Sequence, residues 1–534
     1  MSRVHIIWFK RDLRIHDHAA LNAACAAAMR DKAQLLPLYI VEPDYWALPE
    51  HSERQFDFVT DSLKDLDGVL KARGSGLHVA CGDAVEVLSA LHRTHGIASL
   101  HAHRETGLDW TDARNRAVES WCLRAGIPFR QQVQHGVVQG LKDRDSWAKR
   151  WHNLMAQPRL TAPETIPASG IPSPSWPRVS AIGLSADPCP KRQIGGRRAA
   201  ITLLKSFNER RGEPYRRAMS SPLTAVEACS RLSPHLAYGT LSMRETWQAA
   251  SAARDIHAAD GRKEFAASLD SFISRLHWHC HFIQQFESEA GLEHNSRDPA
   301  FEGLRENPAA DDANLLAWFD GNTGFPFVDA CMRALRETGW LNFPMRAMVM
   351  SFASHHLWMH WKRPAEWLAR RFTDFEPGIH YPQAQRQSGT GGTTAAQIYN
   401  PVKQSQEQDP DGLFIRQWVP ELANLPTEFI HAPWTAPAHV LIESGVTLGS
   451  TYPQPIIDHV QAARQARSKI NAAQRSEAAI TKTAAKPTPQ PRPRKPVTSF
   501  QKHRDRAAKR PAKRQAAQLS LDLEAPHPAS NNLH

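Results

Sequence analysis

Side chains that could do chemistry gather at a few places in the 534-residue chain. Directly after the apolar run Val4–Phe9 come Lys10-Arg11-Asp12-Leu13-Arg14-Ile15-His16-Asp17. This reads as a buried strand ending in a charged loop, and open α/β sheets bind ligands at the carboxyl ends of their strands. A structural Arg–Asp pair would leave the same mark. Ser230-Arg231-Leu232-Ser233-Pro234 starts a helix, because Pro suits a first helical turn. Its hydroxyls and free N–H groups suit a pyrophosphate, and would serve equally as a plain cap. Histidines stand at 277, 279 and 281. At that spacing the rings spread around a helix, which argues against a shared metal ion. The seven cysteines are scattered, with no C-x-x-C pair. Neither a disulfide framework nor a zinc or iron–sulfur site is suggested, so no metal centre is expected and a reducing cytoplasm fits.

Regular elements must position these groups. Short apolar runs at Val4–Phe9, Leu35–Val41, Leu77–Ala80 and Ser99–Ala102 alternate with longer mixed segments such as Ser52–Leu70 and Thr111–Ala125. That predicts a doubly wound α/β domain over residues 1–130. A connector follows at 131–198, Pro-rich over 158–190 and read as ordered or semi-rigid. From about Ala199 the apolar spacing turns helical, as in Phe265-Leu269-Phe272-Leu276, and strand signals vanish. An all-α domain is predicted over 199–450. Residues 451–534 are expected to form a disordered basic tail, because large apolar residues become too scarce there to offset ordering entropy. Residues 482–514 hold twelve Lys/Arg and one acid, whereas 53 bases and 51 acids up to Thr481 nearly cancel. The net charge of +11 is thus tail charge, and the body must meet nucleic acid through a local patch. The opening apolar run is too short for a signal peptide core, and nothing later approaches a membrane span.

Segments spread over residues 4–422 carry a resemblance to a known family. Ile6-Ile7-Trp8-Phe9-Lys10-Arg11-Asp12-Leu13-Arg14-Ile15-His16-Asp17 resembles the "W-F-R-x-D-L-R-x-x-D" opening of the DNA photolyase/cryptochrome family. Ser230 through Ser242 is similar to its "S-x-L-S-P-x-L-x-x-G-x-L-S" segment. Thr323 through Arg333 and Thr338-Gly339-Trp340 resemble "T-G-x-P-x-V-D-A-x-M-R" and "T-G-W". Tyr399 through Gln404 and Asp409 through Leu422 look like its closing signature.

The resemblance implies FAD held in the helical domain, blue-light excitation, and an antenna pigment (a folate or a deazaflavin) in the N-terminal domain. It implies electron transfer from reduced flavin to a pyrimidine photoproduct in UV-damaged DNA; the alternative within the family is a cryptochrome-type photoreceptor that repairs nothing. Matched residue by residue, Tyr215, Ser230, Arg231, Leu232 and Ser233 fall on phosphate and ribityl contacts, with Phe272 and Phe375 also on the cofactor. Arg346 and Asp374 fall on a salt-bridged pair beside the flavin ring, Glu376 on a second acid, and His380 where a flavin-facing Asn is common. Trp278 matches the Trp that stacks on a flipped lesion.

The substrate side departs from the family. Arg275 stands where dimer-repair enzymes have Glu, and Phe343 where they have Asn. His279, with His277, His281, His355, His356 and His380, would crowd the expected cavity, and histidines serve as proton donors in the related enzymes that act on (6-4) photoproducts. The usual Trp triad maps to Ala384, Trp361 and Leu304, so of the three only Trp361 is left to carry an electron; Trp residues at helical spacing also serve as core. In the tail, Gln518-Leu519-Ser520-Leu521-Asp522-Leu523 resembles the bacterial sliding-clamp-binding hexapeptide, with Gln518, Leu519, Leu521 and Leu523 as its anchors. DNA and the clamp are the expected partners, membranes are not, and the chain is expected to be monomeric.

Overall fold

The computed structural model describes residues 3–391 and 397–484, with side chains through residue 475. Short runs of apolar and β-branched residues form the parallel strands β1 (Val4–Phe9), β2 (Gln34–Val41), β3 (His78–Cys81), β4 (Ile97–His103) and β5 (Phe129–Gln132), in the order β3-β2-β1-β4-β5. Every residue of β1 is buried, as a central strand covered on both faces requires. Side-chain alternation sorts β1 between two cores. Ile7 and Phe9 pack with helices α1 (Ala19–Arg30) and α2 (Glu53–Lys71), whereas Val4, Ile6 and Trp8 pack with α3 (Ala84–His95) and α4 (Asp109–Arg124). This is the doubly wound sheet expected from the sequence. Only β5 gives no apolar run, because it is a short edge strand reading Phe-Arg-Gln-Gln.

After β5 the chain makes α5 (Trp147–Ala156) and then the Pro-rich stretch, which is pinned along the sheet domain. Ile166 N–H donates to Arg73 O at 2.8 Å, Leu35 N–H to Pro167 O at 3.2 Å and Val79 N–H to Ser173 Oγ at 3.1 Å. Among the described residues no strand follows β5. The helical part includes α6 (Arg197–Ser206), the short α7 (Ser233–Ala237), α8 (Met243–Ala259), α9 (Lys263–Ser288), α10 (Pro326–Thr338), α11 (Phe343–Ser351), α12 (Lys362–Arg371) and α13 (Pro377–Gln387). On α9 the buried stripe Phe265, Leu269, Phe272, Leu276, Cys280 and Ile283 keeps helical spacing. No helix among the described residues is long and apolar enough to cross a membrane.

Order extends further than the expected boundary at residue 450. Tyr452 is fully buried and its hydroxyl donates to Asp329 at 2.5 Å. Helix α14 (His459–Ala484) buries Ala466 and Ile470, and Lys469 lies 4.5 Å over the Trp358 ring. The stretch 451–484 was read as tail because its apolar residues are few; those few are well placed. The basic segment beyond residue 484 and the hexapeptide Gln518–Leu523 lie outside the described residues.

Candidate active site

The two parts of the body meet at the charged loop after β1. Arg11 donates through Nε to Ala237 O (2.9 Å) and through Nη2 to Phe375 O (2.8 Å), and pairs with Glu376 at 3.0 Å. Arg14 donates to Gly239 O at 2.9 Å, and Ser242 Oγ donates to Asp17 at 2.6 Å. Gly239 has φ +65° and lies so close that a Cβ there would stand 2.2 Å from Arg11 O. The opening motif is therefore a clamp that fixes the Ser230–Ser242 segment. Asp12 is buried at its centre. Burial works to raise its pKa, but His18 and His103 outweigh it and hold the carboxyl well below the usual range. His18 Nδ1 accepts from the Leu21 N–H at 2.9 Å, so its proton sits on Nε2, 3.0 Å from Asp12. That tautomer leaves no lone pair for a metal ion, and the Asp12–His18–His103 group is a buried hydrogen-bonded triad.

Arg231 precedes α7 in the left-handed region, with φ +59°, which costs a non-glycine residue about 1–2 kcal/mol. Gln193 holds it there: its Nε2 donates to Arg231 O (2.7 Å) and its Oε1 accepts from Arg231 Nε (3.2 Å). The guanidinium stacks 4.0 Å over Trp340. Burial lowers the pKa of Arg231 to about 10, against attraction from Asp374. Ser230 Oγ accepts from Leu232 N–H at 3.4 Å, and Ser233 is half-buried at the helix start. Sequence reasoning missed Gln193, a single amide in a loop with no pattern to betray it.

Arg346 and Asp374 form a two-pronged pair at 3.0 and 2.7 Å, with Arg346 Nε also donating to Leu341 O (2.8 Å) and its guanidinium 4.0 Å over Phe372. His380 donates from Nε2 to Ala365 O at 2.8 Å, and burial holds its pKa down at about 4. It is thus a neutral ring with Nδ1 as an acceptor. Tyr215 and Phe272 are buried together against Phe207, and burial lifts the Tyr215 hydroxyl to about 12, with Cys229 adding and Arg275 opposing. Phe375 faces the core, against His51, His380 and Tyr381. What it offers the site is its carbonyl, and Arg11 takes that.

The histidines do not converge. His277 and His281 turn toward Trp147 of α5, at 5.0 and 5.7 Å. His279 lies on another face with His135 and Arg11, held down at about 3 by burial first and by those two neighbours. His355 and His356 sit in the core beside Gln387, Arg305 and Phe352. Trp278 is half-buried, 4.9 Å from the His281 ring and 5.8 Å from Phe282. Trp361 is fully buried, donates to Ser296 Oγ at 3.2 Å and stands 6.1 Å from the Tyr381 ring.

The residues fit a flavin dinucleotide on charge. Arg231 and Arg275 are half-buried, and among the described residues neither forms an ion pair. A half-buried cation without an ion-pair partner suits an anion, and a pyrophosphate supplies one. Residues 272–472 match the FAD binding domain of DNA photolyase and residues 5–142 match DNA photolyase. The chain is 30% identical over 509 residues to deoxyribodipyrimidine photo-lyase of Escherichia coli (strain K12), covering 89% of this chain and 99% of that one. It is 29% identical to cryptochrome DASH of Natronomonas pharaonis over 85% of this chain and 98% of that one. The crystal structure of a bacterial class III photolyase from Agrobacterium tumefaciens superposes with a TM-score of 0.77 at 26% identity, covering 89% of this chain and 98% of that one. The fold and the helical site define a photolyase-type flavoprotein. The chain belongs to the DNA photolyase/cryptochrome family and carries its FAD-binding domain.

Proposed function

We propose that the protein is a light-driven repair enzyme of the deoxyribodipyrimidine photolyase type, acting on a pyrimidine photoproduct flipped out of UV-damaged DNA. The observation that carries this reading is the half-buried Trp278 on α9, one turn after Arg275. FAD, when bound, supplies the light-excited electron. Arg346 and Asp374 would hold the ring, with a fixed cation favouring its anionic reduced form, and Arg231 would hold the anionic part. Trp278 would stack on the flipped base. Arg275 can donate hydrogen bonds to the lesion. The histidines on α9 are held neutral by burial, at about 3 for His279 and about 4 for His277 and His281, so the site is poor in acids.

Arg275 and the exposed Phe343, standing for the family's Glu and Asn, favour the second reading, a cryptochrome-type photoreceptor. Illuminating the reduced protein with oligonucleotides carrying each photoproduct, and assaying restored bases, separates the two. Trp278→Ala is expected to weaken binding to damaged DNA by roughly five- to 150-fold, from a stacking loss of about 1–3 kcal/mol, at unchanged FAD content. Equal affinity would transfer the assignment to the photoreceptor.

Electron resupply is assigned to Trp361, so Trp361→Phe is expected to slow photoreduction; unchanged kinetics would make this ring core only. The chain is taken as a cytoplasmic monomer that reaches the sliding clamp through Gln518, Leu519, Leu521 and Leu523. An antenna pigment does not fit the cleft at the ends of β1 and β2. Arg114 there bridges Glu42 and Glu105, Lys10 pairs with Glu105 at 3.3 Å, and the free volume is about 30 Å³, room for a water or two.

A further inference from the structure

Trp361 needs a source for the electron it gives up, and Ala384 and Leu304 cannot supply one. An oxidisable ring stands beside it. Tyr381 of α13 lies one turn before Ala384, is fully buried, and meets Trp361 edge-on with the ring centres 6.1 Å apart. Phe286, Phe375 and His380 enclose it further, at 6.4, 6.4 and 5.6 Å.

A phenol in an interior gives up an electron only if its proton leaves as well, because the alternative is an unpaired buried cation. The proton acceptor must lie within hydrogen-bond reach. Tyr381 Oη donates to Glu50 Oε1, a carboxylate that is itself buried. Burial first, then the Glu50 charge, pushes the Tyr381 hydroxyl well above its ordinary range, so the ring at rest is a neutral phenol. Glu50 belongs to the sheet domain, and Gln55 of α2 fixes its loop against the helical part by donating to Glu50 O at 3.2 Å and to Ala369 O at 2.8 Å. Lys362, at the head of α12, lies 3.3 Å from Tyr381 Oη, 3.9 Å from Glu50 and 3.4 Å from Glu366. With Glu366 as its second partner, Lys362 still has an anion beside it when Glu50 takes up a proton. Trp358 does not compete as a donor. Arg305 and Lys469 each lie 4.5 Å from the centre of its ring, and a positive hole there would be repelled by both.

We propose that Tyr381 and Glu50 form a proton-coupled electron donor to Trp361. The inference rests on the assignment of electron resupply to Trp361. Once Trp361 has given an electron to the excited flavin, one electron passes from Tyr381 to the Trp361 radical cation. The Tyr381 O–H bond breaks and an O–H bond forms on Glu50 Oε1. Trp361 returns to a neutral indole, Tyr381 becomes a neutral phenoxyl radical and Glu50 a neutral carboxylic acid, so the total charge of the group is unchanged. The electron can return to Tyr381 only when the proton returns too, and recombination is slowed.

The test uses the full chain loaded with oxidised FAD and excited by a laser flash, read by transient absorption and electron paramagnetic resonance rather than by repair. In the wild type a tryptophan radical is expected to decay as a phenoxyl radical grows in, and ring-deuterated tyrosine is expected to narrow the resonance of the latter. Tyr381→Phe is expected to abolish the phenoxyl signal and to shorten the life of the separated charges severalfold, at unchanged FAD content. Glu50→Gln still accepts a hydrogen bond through its amide oxygen but takes up no proton. It is expected to slow phenoxyl formation on the order of a hundredfold, the usual worth of a positioned base. A wild-type tryptophan radical with no phenoxyl radical after it, a phenoxyl signal that survives Tyr381→Phe, or wild-type kinetics in Glu50→Gln overturns the proposal. The Trp361 assignment fails in a different sample: photoreduction unchanged in Trp361→Phe removes the oxidant, and the proposal with it.

Discussion

Asp374 is buried and spends both oxygens on Arg346. Removing one partner of such a pair leaves the other charge poorly compensated, at a cost of roughly 3 kcal/mol. Asp374→Ala is therefore expected to lower stability in urea and to strip FAD, read as lost flavin absorbance in the purified protein; full flavin content in the variant would refute the role assigned to the pair. Arg346, Asp374 and Arg231 could be found in the sequence because charged residues in an otherwise apolar helical region must be paired or functional, and a family pattern marked them. Gln193 and Gln284 could not. Each acts through one amide on a backbone group brought near by the fold, and nothing in residue type or spacing signals that.

At the scale of elements, patterns with a period were legible and solitary anchors were not. The alternation in β1 and the stripe on α9 fixed the two layers. The edge strand β5 escaped because three of its four residues are polar. The ordered stretch 451–484 escaped because its hold on the body rests mainly on Tyr452, Ala466 and Ile470. Asp329 collects bonds from Thr323 N–H (2.7 Å), Thr323 Oγ1 (2.6 Å), Gly324 N–H (3.1 Å) and Tyr452, so the "T-G-x-P-x-V-D" segment is a lock and not a ligand site. Tyr452→Phe is expected to cost about 1–3 kcal/mol, the price of a buried acceptor left short. A chain ending at residue 449 should melt well below one ending at residue 484, and the latter should match the full chain by calorimetry. Identical melting of all three would show that α14 adds no stability.

The molecule as a whole buries many neutral histidines. Burial is the leading cause that holds His51, His103 and His355 down at about 3 and His235 and His380 at about 4, against an ordinary value of 6.5. In each case the folded pKa is the lower one. As pH falls through 6.5 the unfolded chain takes up protons that the folded chain refuses, so stability drops progressively down to about pH 3. Calorimetry from pH 7 to pH 5 should show Tm falling on the order of 10 °C; a flat profile would contradict the burial of these rings. The Asp329 lock also sets an order of events in synthesis. Its last hydrogen-bond donor lies 123 residues downstream, and at about 5–20 residues per second a ribosome needs roughly 6–25 s to deliver it. During that interval the nascent helical domain holds a carboxyl group in an apolar interior without its full set of donors. The half-made protein is then most exposed to proteases and to its neighbours on the same message, and a slow codon between Asp329 and Tyr452 would lengthen that exposure without changing a single residue.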